Sequence, residues 1–195
     1  MFKYSTFNRY KRFFKRVVFK VFFSHSFKKF GKKVVIFEPD IIEGEEYISI
    51  GDYASLGTKC WILALKRENL IPNIYIDNGT TIGRFAHIVA IDQIVIEKNV
   101  LIADKVYISD NKHVYQDILV PIKNQDIKVI GKVFIGENSW IGENVSILGA
   151  KIGKHCIIGA NSMVNSDIPD FSIAVGSPAR VIKQYNLKSK VWESI

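Results

Sequence analysis

Ile135-Gly136-Glu137-Asn138-Ser139-Trp140-Ile141-Gly142-Glu143-Asn144-Val145-Ser146-Ile147 reads as one six-residue phrase said twice. An aliphatic residue is followed by Gly or a small or acidic residue, two free positions, a small residue and one more free position. Counting from Val129, the aliphatic places fall at residues 135, 141, 147, 152, 158 and 164, in steps of 6, 6, 6, 5, 6 and 6. A helix would space them at about 3.6 and an amphipathic strand at about 2, with no Gly at every sixth place. A sustained hexapeptide period is the signature of a parallel β-helix, in which each unit makes one short strand and one corner. Three units close a triangular coil of about 18 residues.

The same phrase runs backward along the chain. It is present at Ile50-Gly51 and Leu56-Gly57, stops over 63–75, and resumes at Ile76-Asp77, Ile82-Gly83 and Ile88. A shift of two residues leads to Ile96, Ile102 and Ile108, and a second interruption covers 109–128. The aliphatic residue is expected to point into the prism, with a small residue such as Ala54, Ala86, Val106, Ser139 or Ser162 filling the inward slot beside it. Gly is expected after the aliphatic residue because the backbone turns tightly there. Cys60 and Cys156 fall in the small slot and read as core residues, implying neither a disulfide nor an oxidising compartment.

The 195 residues suit one domain with an appendage, and 48% of them are hydrophobic. Two cysteines are too few for a disulfide framework or a cysteine-rich zinc site. No uncharged apolar run approaches the roughly 20 residues that span a bilayer, so the composition is that of a soluble globular protein. The net charge of +8 is unevenly placed. Residues 1–37 hold eleven Lys and Arg and no acid, while the rest carries sixteen cations against nineteen acids. Phe7, Tyr10, Phe13, Phe14, Val17, Val18, Val21 and Phe22 recur in this basic end at helical spacing, an amphipathic helix pattern. Cations interrupt it too often for a secretory signal peptide. Its apolar stripe has three readings: packing on its own domain or a neighbouring subunit, contact with an anionic membrane through residues 1–33, or nucleic acid. Nothing else in the chain resembles a nucleic-acid reader, which weighs against the last.

The repeat, the stretch Trp140-Ile141-Gly142, the stretch Ile158-Gly159-Ala160-Asn161-Ser162 and the tail Val175-Gly176-Ser177-Pro178-Ala179-Arg180-Val181-Ile182-Lys183 resemble the hexapeptide-repeat acyltransferases. The branch in question includes maltose, galactoside and nodulation acetyltransferases and the O-acetyltransferases of bacterial capsules and exopolysaccharides. The resemblance covers residues 45–183. It implies an all-β fold, a left-handed parallel β-helix over 38–176, preceded by a mainly helical basic segment, 1–37, and followed by a partly helical tail, 177–195. It also implies a homotrimer with acetyl-CoA in the groove between neighbouring prisms. By the same resemblance Trp140 and Gly142 line the pantetheine, Ala160 contacts the cofactor through its backbone, and Arg180 and Lys183 lie near its phosphates. Ser166 stands where the family carries a phosphate-contacting Lys, a departure that leaves the charge to Arg180 or Lys183.

The second interruption contains Ser109-Asp110-Asn111-Lys112-His113-Val114-Tyr115-Gln116-Asp117, and it resembles the segment carrying the family's catalytic histidine, here His113. The chemistry agrees. Moving an acetyl group from a thioester to a hydroxyl requires removal of the hydroxyl proton, and a neutral imidazole with an ordinary pKa of about 6.5 suits that role. A thioester is already activated, so no Ser or Cys nucleophile is needed. Asp110, Asn111 and Asp117 are candidates to orient His113, and His87 and Asp92 are candidates to bind the acceptor. The four histidines show no paired metal-ligand spacing. These readings lead to an O-acetyltransferase acting on a sugar hydroxyl of a surface polysaccharide or its precursor, located in the cytoplasm and peripheral to the inner face of the membrane. An N-acetyltransferase of an amino-sugar nucleotide and a non-catalytic β-helix scaffold are the alternatives.

Overall fold

The computed structural model describes residues 3–195; Met1 and Phe2 of the basic segment lie outside the described residues. The chain winds as a left-handed parallel β-helix with three faces. The first face stacks six strands, from Lys29–Phe30 through Ile48–Ile50, Asn73–Ile76, Gln93–Ile96 and Val133–Ile135 to Lys151–Ile152. The third stacks another six, from Ile41–Glu43 to Met163–Val164. The second begins at Val35–Ile36 and continues past Ser172–Gly176 into two antiparallel strands, Ala179–Asn186 and Val191–Ser194.

Register alignment puts like on like. Ile42, Ile62, Ile88, Ile108, Ile147 and Val164 pair successively up the third face with their side chains inward. Every inward aliphatic residue from Ile48 to Ile158 is within 2% of complete burial. The small-slot residues are buried beside them, Cys60 and Cys156 included. Burial pushes the Cys60 thiol up to about 11 and raises that of Cys156 as well.

The role of the glycines differs from the tight-turn expectation. At the corners that enter and leave the second face the left-handed residue is typically the fourth of the repeat, as at Lys59, Asn99, Asn138, Asn144 and Asn161, where φ lies between 58° and 63°. Asn is well suited to that conformation. The glycine in second place answers a different need. A Cβ on Gly136 would stand 2.5 Å from the Gly153 carbonyl carbon, so the next coil leaves it no room.

Three boundaries are corrected. The prism starts at Lys29 rather than residue 38, because Phe30-Gly31-Lys32-Lys33-Val34 is already a repeat, with an aromatic in the aliphatic place and Lys33 in the left-handed corner. The tail is not helical: Ala179–Asn186 pairs antiparallel with Ser172–Gly176 and with Val191–Ser194, so it extends the second face. Val129 is not a prism residue; it pairs with Asn111 in a hairpin outside the coils. The first interruption is shorter than expected, since strands Trp61–Ala64 and Asn73–Ile76 occupy its ends, and the second is shifted, running from residue 110 to residue 132 between Tyr107–Ser109 and Val133–Ile135.

The helix α1, Tyr4–Phe23, lies against the first coil. It docks through Phe19, whose ring packs 6.2 Å from Phe27 and 6.3 Å from Phe30, and through charge. Lys15 bonds Glu38, Lys11 approaches the same carboxylate at 3.9 Å, and Arg12 sits 5.4 Å over the Phe37 ring. Glu38 is held below the usual carboxylate range, chiefly by its Lys15 hydrogen bond. No residue of α1 is buried. Among the described residues, no helix is long and apolar enough to cross a membrane.

If the prism interior is as closed as its burial indicates, iodoacetamide at mildly alkaline pH should leave Cys60 and Cys156 unmodified in the native protein and label both after denaturation. Labelling of Cys60 in the folded protein would show that the coils open.

Candidate functional site

The insertions lie at one corner. The chain passes from the third face back to the first at residues 44–47, 65–72, 91–92 and 110–132, and this return corner is where turns and loops are inserted. The longest insertion is an arm. Asn111–His113 leaves the prism and pairs antiparallel with Ile127–Val129 on the way back, with His113 opposite Ile127. His113 stands exposed at the outer end of the departing strand.

Asp110 roots this arm and does not orient the histidine. Ala64 and Ala90 pair on successive coils at the inward end of the third face. Asp110 follows two residues after the inward Ile108, in the corresponding place, and is fully buried. Its carboxylate accepts hydrogen bonds from the Ile91 amide at 3.0 Å, the Asp92 amide at 2.8 Å and Asn111 Nδ2 at 2.9 Å. A buried carboxylate is tolerated where donors surround it, and here the donors are the amides of the preceding return corner. The Asp110 carbonyl also accepts from the Ile130 amide at 2.8 Å, so one residue ties both ends of the arm to the prism. Asn111 Nδ2 reaches the Val89 carbonyl at 3.3 Å.

Asp117 is likewise not a partner of His113. Its carboxylate caps the Leu119 amide at 2.8 Å, and Gln125 Nε2 donates to the Asp117 and Val120 carbonyls at 2.7 and 2.8 Å. Gln125 therefore fixes the arm's tip, a role the sequence reading missed. The tip is apolar and open, with Ile118 94% and Leu119 88% exposed.

His87 lies on the third face, in the outward row that runs Trp61, His87, Tyr107, Ser146 and Met163. Its ring stacks on Trp61 at 4.2 Å with a 3° tilt and meets Tyr107 at 5.2 Å. Its Nε2 is buried without a hydrogen-bond partner, and burial lowers the pKa from the ordinary 6.5, favouring the neutral ring. Trp61 and Tyr107 were not among the sequence candidates; a period of one coil before and after His87 is the signal that would have found them. Asp92 is half-buried at the return corner, beneath the Asp110 carboxylate that binds its amide.

The residues matched to the cofactor divide between two edges. Trp140 is half exposed on the second face, in the row that continues through Ile157 and Ile173 to Lys183. Gly142 follows at the corner leading to the third face, where a Cβ would stand 2.7 Å from the Ala160 amide nitrogen. Arg180 pairs with Val175, whose side chain lies over Gly159. Trp140, Gly142, Ala160, Arg180 and Lys183 thus share one side of the prism. Ser166 follows the strand Met163–Val164 at the return corner, on the other edge of the third face, as does the arm that bears His113. Four to five residues of strand separate these edges, about 15 Å at strand rise. Among the described residues, no group of three or more His, Cys, Asp or Glu could hold a metal ion.

Residues 132–166, the uppermost coils, match the family described as bacterial transferase hexapeptide (six repeats). The chain is 35% identical over 127 residues to WbbJ of Escherichia coli K12, named as a lipopolysaccharide biosynthesis O-acetyl transferase; the match covers 62% of this chain and 65% of WbbJ. It is 38% identical over 160 residues to a Mycobacterium tuberculosis H37Rv protein named as an acetyltransferase, covering 75% of this chain and 46% of that one. The chain therefore spans less than two thirds of the length of either relative. A maltose O-acetyltransferase from Clostridium difficile 630 superposes with a TM-score of 0.55 at 27% identity, over 82% of this chain and 71% of that one. AntD of Bacillus cereus, an N-acyltransferase solved with dTDP and 3-hydroxybutyryl-CoA, superposes with a TM-score of 0.69 at 22% identity, over 85% and 87%, a likeness of fold. Residues 132–166 thus carry the hexapeptide repeat of bacterial transferases, and the chain is similar to acetyltransferases built on it.

The arm's anchor is directly testable. Asp110→Ala strands the Ile91 and Asp92 amides in a buried corner and should cost roughly 2–4 kcal/mol, while Asp110→Asn, which keeps an acceptor oxygen, should cost less. Urea unfolding of the three proteins measures it, and an Asp110→Ala midpoint equal to wild type would contradict the buried-anchor geometry.

Proposed function

We propose that the chain transfers an acetyl group from acetyl-CoA to a hydroxyl of a carbohydrate, a bacterial surface polysaccharide or its precursor. The observation that carries this reading is the placement of His113, exposed on the departing strand of an arm whose root is the buried, fully bonded Asp110. The names of WbbJ and the maltose O-acetyltransferase supply the acceptor class.

Acetyl-CoA supplies an activated acetyl thioester, and the residues present fit it. At the Gly142–Ala160 edge Gly142 is buried against the Ala160 backbone and Ala160 presents only a methyl, Trp140 offers an exposed ring beside it, and Arg180 and Lys183 bring exposed cations to the same side. These form one wall. His113, Asp92 and Ser166 belong to the other edge of the third face, about 15 Å away by strand rise. A groove that needs both walls is completed by a second copy of the chain, with His113 of one prism facing Gly142 of its neighbour. Repetition of that head-to-tail contact closes a trimer.

Within such a groove His113 accepts the acceptor's hydroxyl proton as the oxygen attacks the acetyl carbonyl carbon. The C–S bond then breaks, and the same imidazolium returns the proton to the leaving thiolate. No side-chain nucleophile takes part, consistent with the two thiols being buried in the core. Backbone N–H groups along the groove are the donors available to the developing oxyanion. The neutral ring of His87, with its unbonded Nε2, is placed to meet a polar acceptor group on the third face.

His113→Ala should lower kcat on the order of 10²–10⁴-fold, with the assembly and acetyl-CoA affinity retained. His87→Ala should raise acceptor KM more than it lowers kcat. Thioester cleavage measured with hydroxyl-only sugars and with amino-sugar nucleotides checks both points. Near-normal turnover by His113→Ala would remove it as the base, and turnover confined to the amino sugars would replace O- with N-acetyl transfer.

A further inference from the structure

The amphipathic helix is mounted with its apolar face outward. Phe7, Tyr10, Phe14, Val17 and Val21 recur in steps of 3, 4, 3 and 4, which places them in one stripe along α1. Their exposures are 55, 65, 68, 41 and 65%. The face turned to the prism carries Lys11, Arg12 and Lys15, held by Glu38 and the Phe37 ring, with Phe19 as its apolar contact. A helix that served only to cap the prism would bury its apolar stripe and expose its cations. This one turns its apolar stripe to solvent and sets Lys11, Arg12 and Lys15 against the prism. Contiguous exposed apolar surface of this kind marks a binding face.

Charge decides what the face fits. Arg9, Arg16 and Lys20 border the stripe on one flank, and Lys11 on the other; the described part of the basic segment, from Lys3 through Lys33, contains no acid. A second copy of the same helix would therefore meet the stripe with like charge on every side. A nucleic acid would satisfy the cations and leave the aromatic rings in water. An anionic lipid surface satisfies both, taking the rings into the headgroup boundary while the lysines and arginines remain among the phosphates. Lys28, Lys29, Lys32 and Lys33 of the first coil are exposed at the same end of the prism. We infer that α1 is a membrane-surface anchor that lies in the plane of an anionic lipid leaflet and holds the prism upright with its first coil toward the membrane. It rests on the helix alone and stands whether or not the proposed acetyl transfer is correct.

The test uses the full chain with vesicles of phosphatidylglycerol and phosphatidylcholine, and with vesicles of phosphatidylcholine alone, in a flotation assay at low and high salt. The anchor predicts binding to the anionic vesicles, loss of that binding with added salt, and little binding to the neutral ones. Phe14→Ser with Val21→Ser removes apolar surface from the exposed stripe, and Arg9→Glu with Lys20→Glu reverses flanking charge. Each pair should weaken vesicle binding about tenfold or more, since each cation near a charged surface contributes roughly 1 kcal/mol and a buried ring at least as much. Circular dichroism and sizing of the variants should match wild type. Failure of the full chain to float with anionic vesicles at low salt would overturn the inference. So would unchanged binding by Phe14→Ser/Val21→Ser together with a change in oligomeric size, which would assign the stripe to a neighbouring subunit.

Discussion

Each coil of this protein is bonded directly to the next through its backbone, and the spacing of that stack governs everything built on it. The Gly136 amide donates to the Ile152 carbonyl at 2.8 Å and the Gly142 amide to the Ile158 carbonyl at 2.8 Å. With strands about 4.8 Å apart, inward side chains must be alike from coil to coil, because each touches its counterparts above and below. The result is a column of isoleucines with a column of small residues beside it. At the corners the same spacing excludes a Cβ at Gly136. A uniform stack of this kind has little freedom for chemistry, so variation is pushed to places where the chain can leave the stack and return without disturbing it.

The return corner is such a place, and the way it is used links stability to function. The arm between Asp110 and Ile130 leaves the prism for nineteen residues, yet both ends are fixed by one buried residue. Asp110 bonds the corner of the coil before it through its side chain and the returning strand through its carbonyl. A mobile side chain would serve poorly as a general base, the role proposed for His113, because positioning contributes much of what such a base supplies. The rigid root, the paired strands and the Gln125 clamp at the tip give His113 a defined place outside the stack. The groove proposed for the reaction is then a property of an assembly rather than of one prism, since the Gly142–Ala160 edge and the arm occupy opposite borders of the third face.

The period of six was legible because a stack repeats its constraint at every coil: one aliphatic, one small and one close-packed position each time. Elements that satisfy the same constraint with unusual residues were harder to see. Phe30-Gly31-Lys32-Lys33-Val34 is a repeat whose outward positions are cationic, so charge hid the start of the prism. The C-terminal strands carry no hexapeptide period, because they pair antiparallel with the last coil and form no new one. At the site, sequence could bring Asp110, Asn111 and His113 into one short stretch but could not say which way each side chain turned. Alternation along the strand puts Asp110 inward with Ile108, and this inward slot, occupied by Ala90 one coil earlier and by Ala64 two coils earlier, is what makes it an anchor. The direction of α1 was beyond the sequence for a related reason: its apolar and basic faces are both strong, and only contacts with Phe37 and Glu38 show which one meets the prism.

The central claim is that one catalytic site is shared between two copies of the chain, and subunit mixing tests it most directly. Chains carrying His113→Ala and chains carrying Ala160→Trp, which fills the exposed Gly142–Ala160 edge, should each be inactive as pure assemblies. Unfolded together and refolded as mixed trimers, they should recover activity, because some grooves then pair an intact His113 with an intact edge from its neighbour. Mixed trimers as inactive as both parents would place His113 and the thioester on the same chain and contradict the account.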